Sequence, residues 1–160
     1  MNVRAVLFAV LAVLAACSPM TADAGQKTAA APARHPESGL EVVPLTITSA
    51  NGRHAFRVEV ARSGEEQAKG LMFRTAMGAN AGMIFPMVPA RQASFWMKNT
   101  VIALDLVFIG PDKRIESIAA NAVPYSLSPI SSKGSVSAVL ELNGGRAALL
   151  GLAPGDRVAW

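Results

Sequence analysis

The run Leu104-Asp105-Leu106-Val107-Phe108-Ile109 constrains the fold more than any other stretch of the chain. Read as a strand, it puts Leu104, Leu106 and Phe108 on one face and Asp105, Val107 and Ile109 on the other. A strand apolar on both faces has to be covered on both, so it belongs inside a sheet with packing on either side. Its lone carboxylate is then at least partly buried, where an unpaired charge is costly. Asp105 therefore needs a cation or several hydrogen-bond donors. Lys98 and Arg74 are the candidate cations, and Asn99 and Thr100 the candidate neutral donors. Glu141, inside the apolar run AVLELN, poses the same problem and could share the same partners.

The rest of the chain predicts what surrounds that strand. EVVPLTITSANGRHAFRVEVA reads as a β-hairpin turning at Asn51-Gly52, with Pro44 suited to an edge position. In its second arm Phe56, Val58 and Val60 share one face, and Arg57, Glu59 and Ala61 the other. Ser63 and Glu66 form a capping box opening a short helix whose apolar stripe is Ala68, Leu71 and Met72. Strands are expected around Met83–Val88, Gln92–Met97, Ala103–Ile109 and Arg114–Ala119, then a long loop Asn121–Gly134 carrying Pro124 and Pro129. SVSAVLELN gives a further strand, Arg146–Leu150 a short helix closed by Gly151, and RVAW a last strand. Many short strands with two small helices predict an α+β, mainly antiparallel β domain: a small, partly closed barrel-like sheet.

The N-terminus sets the expected location. MNVR followed by AVLFAVLAVL is too short an apolar run to span a bilayer core needing about twenty residues, so residues 1–16 read as a signal peptide. Leu14-Ala15-Ala16-Cys17 resembles the bacterial lipoprotein box, which makes Cys17 the lipidated mature N-terminus and the membrane the first expected partner. Cys17 is the only cysteine, so the chain has no disulfide and no cysteine metal ligand. Ser18 in place of aspartate favours the periplasmic face of the outer membrane in a two-membrane bacterium. Residues 17–38 read as a disordered tether and 39–160 as one globular domain. The net charge of +4 is dispersed, with no basic block to bind nucleic acid.

Four blocks carry a family resemblance: EVARSGEEQAKGLMFR (59–74), GMIF (82–85), SFWMKNTVIALDLVFI (94–109) and VLELNGGRAALLGLAPGDRV (139–158). Together they resemble the domain-of-unknown-function 192 family over nearly the whole folded part and in the family's order. The resemblance implies a small, commonly exported or lipid-anchored bacterial domain, and little about activity, since the family's biochemical function is not established. The chain has Ala103 where members usually have proline, and Gly78-Ala79-Asn80-Ala81 where the loop is often acidic, which removes charge that could serve a metal.

Two roles are open to the polar residues of this region. They can brace a small domain, or Arg74, Lys98, Asn99, Asp105 and Glu141 can converge on a polar pocket walled by Phe95, Trp96 and Met97. In the second case Arg74, Lys98 and Asn99 fix polar groups of a small polar or anionic ligand, Trp96 stacks on it, and the loop Asn121–Gly134 covers it. Asp105 and Glu141 are weak candidates for catalysis, singly or dividing acid and base roles, in a hydrolase or lyase acting on an envelope-derived substrate. His35 and His54 are read as solvated, and no metal-binding or nucleophile motif is present, so neither metal nor cofactor is expected. The leading expectation is a lipid-anchored envelope domain that binds a small ligand or a partner. A structural module contacting another envelope protein is the third reading.

Overall fold

The structure, a computed structural model, describes residue 1 and residues 33–160, and the unit discussed here runs to the C-terminus. The signal peptide, Cys17 and most of the expected tether lie outside the described residues. The elements are β1 (Val42–Ser49), β2 (Gly52–Val60), α1 (Gly64–Lys69), β3 (Ala81–Phe95), β4 (Leu104–Ile109), β5 (Ile115–Ala122), β6 (Ile130–Asn143), α2 (Arg146–Leu150) and β7 (Arg157–Ala159). They form one seven-stranded sheet in the order β5-β4-β6-β3-β2-β1-β7. Every pairing is antiparallel except β2 with β3, whose crossover carries α1. The two ends of the sheet meet: Arg114 bridges Arg157, Ile115 N–H donates to Asp156 O at 2.9 Å, and Val158 N–H to Lys113 O at 2.8 Å. The result is the expected α+β fold with a partly closed barrel.

The two faces of β4 sort the core as the alternation requires. Val107 and Ile109 pack with Leu45, Ile47, Phe56, Val58, Ile84, Leu140 and Val158, drawn from all around the sheet, so this face is the barrel interior. Leu104, Leu106 and Phe108 pack outward with Met83, Phe85, Met97 and Leu71. Gly82 lets β3 and β6 approach closely, since a Cβ there would lie 2.5 Å from the main-chain oxygen of Glu141.

Several boundaries differ from expectation. The hairpin turns at Ala50-Asn51, with Gly52 opening β2 at a φ of 120°. Pro44 is tolerated because β7 pairs only with Thr46–Thr48, leaving β1 an edge further back. The capping box forms: Glu66 N–H donates to Ser63 Oγ at 3.1 Å, and Ser63 N–H to Glu66 Oε2 at 2.8 Å. The backbone N–H of Ser63, with that of Arg62, holds the Glu66 carboxyl below its ordinary range. The helix stops at Gly70 and buries no residue of its own; Leu71, just past the cap, is the anchor. The two strands expected in 83–97 are one long β3, bent by register shifts between Pro86 and Arg91 and between Gln92 and Ser94. The N-terminal half of β6 pairs with it, so the expected 121–134 loop shrinks to 123–129.

The largest correction concerns residues 33–38, expected in the tether. They fold back on the start of β1: His35 N–H donates to Leu40 O at 2.9 Å and Val42 N–H to Ala33 O at 2.7 Å. The clamp is a buried ion pair that local patterning does not reveal. Arg74 Nη1 and Nη2 donate to Glu59 Oε1 and Oε2 at 2.9 and 3.2 Å, while Arg74 Nε lies 3.0 Å from Glu37. Ser38 Oγ also donates to Glu59, and His35 Nδ1 sits 3.7 Å from it, so His35 is a participant rather than a solvated bystander. Arg74 thus pairs with Glu59, not with Asp105 or Glu141. Removing the cation strands a buried carboxylate. Arg74→Met is therefore expected to cost about 3–5 kcal/mol in urea unfolding, and to speed hydrogen exchange at the Leu40 and Val42 amides relative to β4.

Candidate functional site

Asp105 and Glu141 sit one rung apart on neighbouring strands, and the register decides their relationship. Asp105 pairs with Leu142, and Leu106 with Glu141. Paired residues share a face and successive residues alternate. Asp105 therefore points with Leu142 to the inner face, and Glu141 with Leu106 and Met83 to the outer one. Two carboxyls on opposite sides of a sheet cannot act on one substrate as an acid and base pair, which removes the paired form of the hydrolase or lyase alternative.

Asp105 is fully buried and needs no cation. Its Oδ1 accepts from the N–H of Asn121 at 2.8 Å and of Gly145 at 2.9 Å, and its Oδ2 from the N–H of Ala147 at 2.7 Å. Gly145 provides no side-chain cap to α2, so the aspartate caps that helix from β4. Lys98, Asn99 and Thr100 take no part, contrary to the expected meeting of FWMKNT with this aspartate.

Glu141 is the opposite case. Only 5% of its surface is exposed, yet among the described residues no hydrogen bond or ion pair meets its carboxyl. Burial alone pushes the group up to about 8. The carboxyl is not sealed in, since Arg146 Nε is the only fully enclosed side-chain polar atom without a partner among the described residues. Glu141 lines a cavity of about 30 Å³ with Lys69, Gly70, Met72, Trp96, Lys98 and Thr100. Trp96 and Phe95 also border a groove of about 380 Å³ beside Gln67, Met87, Arg91 and Gln92, and a hollow of about 150 Å³ against Leu127 and Pro129. Trp96 is half exposed, with Lys98 Nζ 5.2 Å from its ring centroid.

Of the sequence candidates, then, Trp96, Lys98 and Glu141 share one site. Arg74 and Asp105 do not, although Arg74 borders a separate recess of about 130 Å³ between α1 and the 33–41 segment. Asn99 turns the chain at a φ of 54°, with its amide 3.9 Å from Met72 Sδ. Sequence reasoning missed Lys69, Gln67, Arg91 and Gln92, which the fold brings in from α1 and β3. Thr100, expected as a donor to Asp105, lies in the recess with Glu141 instead. The short 123–129 loop sits beside the site: Tyr125 N–H donates to Thr100 O at 3.1 Å and Met97 N–H to Ser126 O at 2.8 Å. It exposes Val123, Tyr125 and Leu127, and Phe73, tied to Asn99 O by its N–H, is exposed nearby.

The fold and this outer-face cavity define a small α+β barrel-like domain with a polar recess beside an exposed tryptophan. The chain belongs to the DUF192 family (Uncharacterized ACR), whose model matches residues 46–160. Among the solved structures that resemble it are two. One is a protein of unknown function from Novosphingobium aromaticivorans DSM 12444, 59% identical, covering 82% of this chain and 94% of that one with a TM-score of 0.80. The other, from Sinorhizobium meliloti 1021, is described as a candidate transcription regulator; it is 39% identical, covering 75% and 94%, with a TM-score of 0.73. No curated protein matches the chain. The biochemical function of the family is not established.

The two carboxyls lead to contrasting expectations. Asp105→Asn keeps one acceptor but sets an NH₂ against backbone donors, and is expected to cost roughly 2–4 kcal/mol in urea unfolding. Glu141 ionises near 4.5 when solvated but near 8 in the fold. Between those values the folded state holds the extra proton, so its stabilising effect is complete below the lower value and is lost as pH rises through the upper. Stability is expected to fall by an amount on the order of 3–5 kcal/mol across that window. In Glu141→Gln this part of the pH dependence should vanish, read as the difference between the two urea midpoints from pH 4 to 9.

Proposed function

We propose that this protein is an exported, lipid-anchored envelope domain that binds a small polar ligand at the recess around Trp96. The observation that carries the reading is a nine-tenths buried carboxyl, Glu141, held without a partner at a cavity walled by an exposed tryptophan and rimmed by lysines. A purely structural carboxyl would be partnered, as Asp105 is, and a site that keeps an unsatisfied polar group at a cost to stability is characteristic of binding function. Trp96 supplies a stacking face, Lys98 a charge at the rim, and the adjoining groove room for the rest of a small molecule.

The leader supports the location: a basic start, a short apolar run and Cys17 after two alanines. Acylation of Cys17 would hold the domain at the periplasmic face of the outer membrane in a two-membrane cell. A second reading, docking of an envelope protein, draws on the exposed side chains of Phe73, Trp96, Tyr125 and Leu127 around the same recess.

Screening small acids, amines and sugars by amide and indole NMR separates the two. Binding in the recess is expected to move the Trp96 indole and Lys98 amide signals. It should be lost in Trp96→Ala and in Lys98→Ala, with melting temperatures within about 2 °C of the wild type, as for exposed side chains. Shifts confined to Tyr125 and Leu127, or none at all, would count against the ligand site. For the anchor, Cys17→Ser is expected to move the protein from the membrane pellet to the soluble fraction.

A further inference from the structure

The chemistry of the recess specifies more than a small polar ligand. A cavity of about 30 Å³ admits one water-sized group, so what enters is a terminal group and not a ring. Its interior offers a hydroxyl and a carboxyl. Thr100 Oγ1 already donates to Lys98 O at 3.3 Å, which leaves its lone pairs free, and Glu141 adds two oxygens. Trp96 adds a π face at the rim, with Lys98 Nζ 5.2 Å from its ring centroid. The charged groups facing Glu141 are Lys69 from α1 and Lys98 from the segment after β3. Both are exposed at the mouth, while its neighbours on β3 and β4 are the apolar Met83 and Leu106.

A carboxyl and a hydroxyl inside, an aromatic face and two lysines at the rim: we infer that the recess binds a zwitterionic α-amino acid group, its ammonium seated against Glu141 and its carboxylate at Lys98 and Lys69. An inserted anion would find the carboxyl's own proton as its one donor inside, whereas an ammonium brings donors to Thr100 Oγ1 and, once that proton is released, to both Glu141 oxygens. The inference rests on the groove reading above and names its ligand class. Binding then carries a proton signature. At pH 7 the free carboxyl is largely protonated, its ionisation lying near 8, and an ammonium beside it favours the carboxylate. The proton leaves to solvent as the ligand enters, roughly 0.9 per site at that pH.

The test is calorimetric titration of the chain with alanine, methylamine and acetate at pH 7, in two buffers of different ionisation enthalpy. Trp96 emission is followed in parallel in a Trp160→Phe background. The expected result is alanine binding tighter than methylamine, acetate silent, and release of close to one proton. Glu141→Gln should weaken alanine at least tenfold while melting no lower than the wild type, which separates lost binding from lost fold. Alanine binding without proton release, or unchanged by Glu141→Gln, would overturn the inference. Acetate binding that quenches Trp96 while both amines stay silent would also overturn it, but would leave the groove reading standing. Silence of all three probes would overturn the inference; the groove reading would then fall only if the wider NMR screen were silent at Trp96 as well.

Discussion

The fold depends on how one buried carboxylate is satisfied. Asp105 is on the inner face of β4, where a lone charge would be prohibitive, and three backbone N–H groups converge on it from Asn121, Gly145 and Ala147. Those donors belong to the end of β5, the turn after β6 and the first turn of α2. A single side chain thereby ties the two strands flanking β4 to each other and to the helix that closes one end of the barrel. The interaction needs no cation, which frees the lysine of the FWMKNT block for the other side of the sheet.

That division separates structure from function here. Asp105 and Glu141 are both acidic, both buried and one rung apart, but the pleat sends them to opposite faces. On the inner face the neighbouring backbone has donors to give, because a helix begins there. On the outer face Glu141 is set among Met83, Leu106 and other ladder-bonded residues whose amides are already used within the sheet. It gains no partner from the described residues, and burial holds it neutral at physiological pH. The recess around it exists because Gly70 ends α1 early and Trp96 stays out in solvent, leaving a gap between them that the core does not fill.

Much of the architecture was legible in the sequence because it rests on local signals. The alternation of β4, the Ser63–Glu66 capping box and the glycine-bounded α2 each appear where their residues place them. What was not legible depends on long-range partners. Glu59 looked like a solvent-side residue of β2 until Arg74 and the 33–41 segment closed over it, and nothing in the composition of residues 18–38 signals that closure. The continuity of β3 through Pro86 and Pro89 likewise depends on β6 pairing along it. For the site, the residue types were legible and their grouping was not. Trp96, Lys98 and Glu141 come together, while Arg74 and Asp105 are drawn off by partners that only the folded register supplies.

Glu141, buried and without a partner among the described residues, would be neutral at the floor of the proposed binding recess. The most direct measurement is the ¹³C chemical shift of its carboxyl as a function of pH, assigned by comparison with Glu141→Gln. The account expects a single titration centred near 8, well above the exposed glutamates of the same molecule. A midpoint in the ordinary carboxylate range would mean that the group is solvated or paired, and would contradict it.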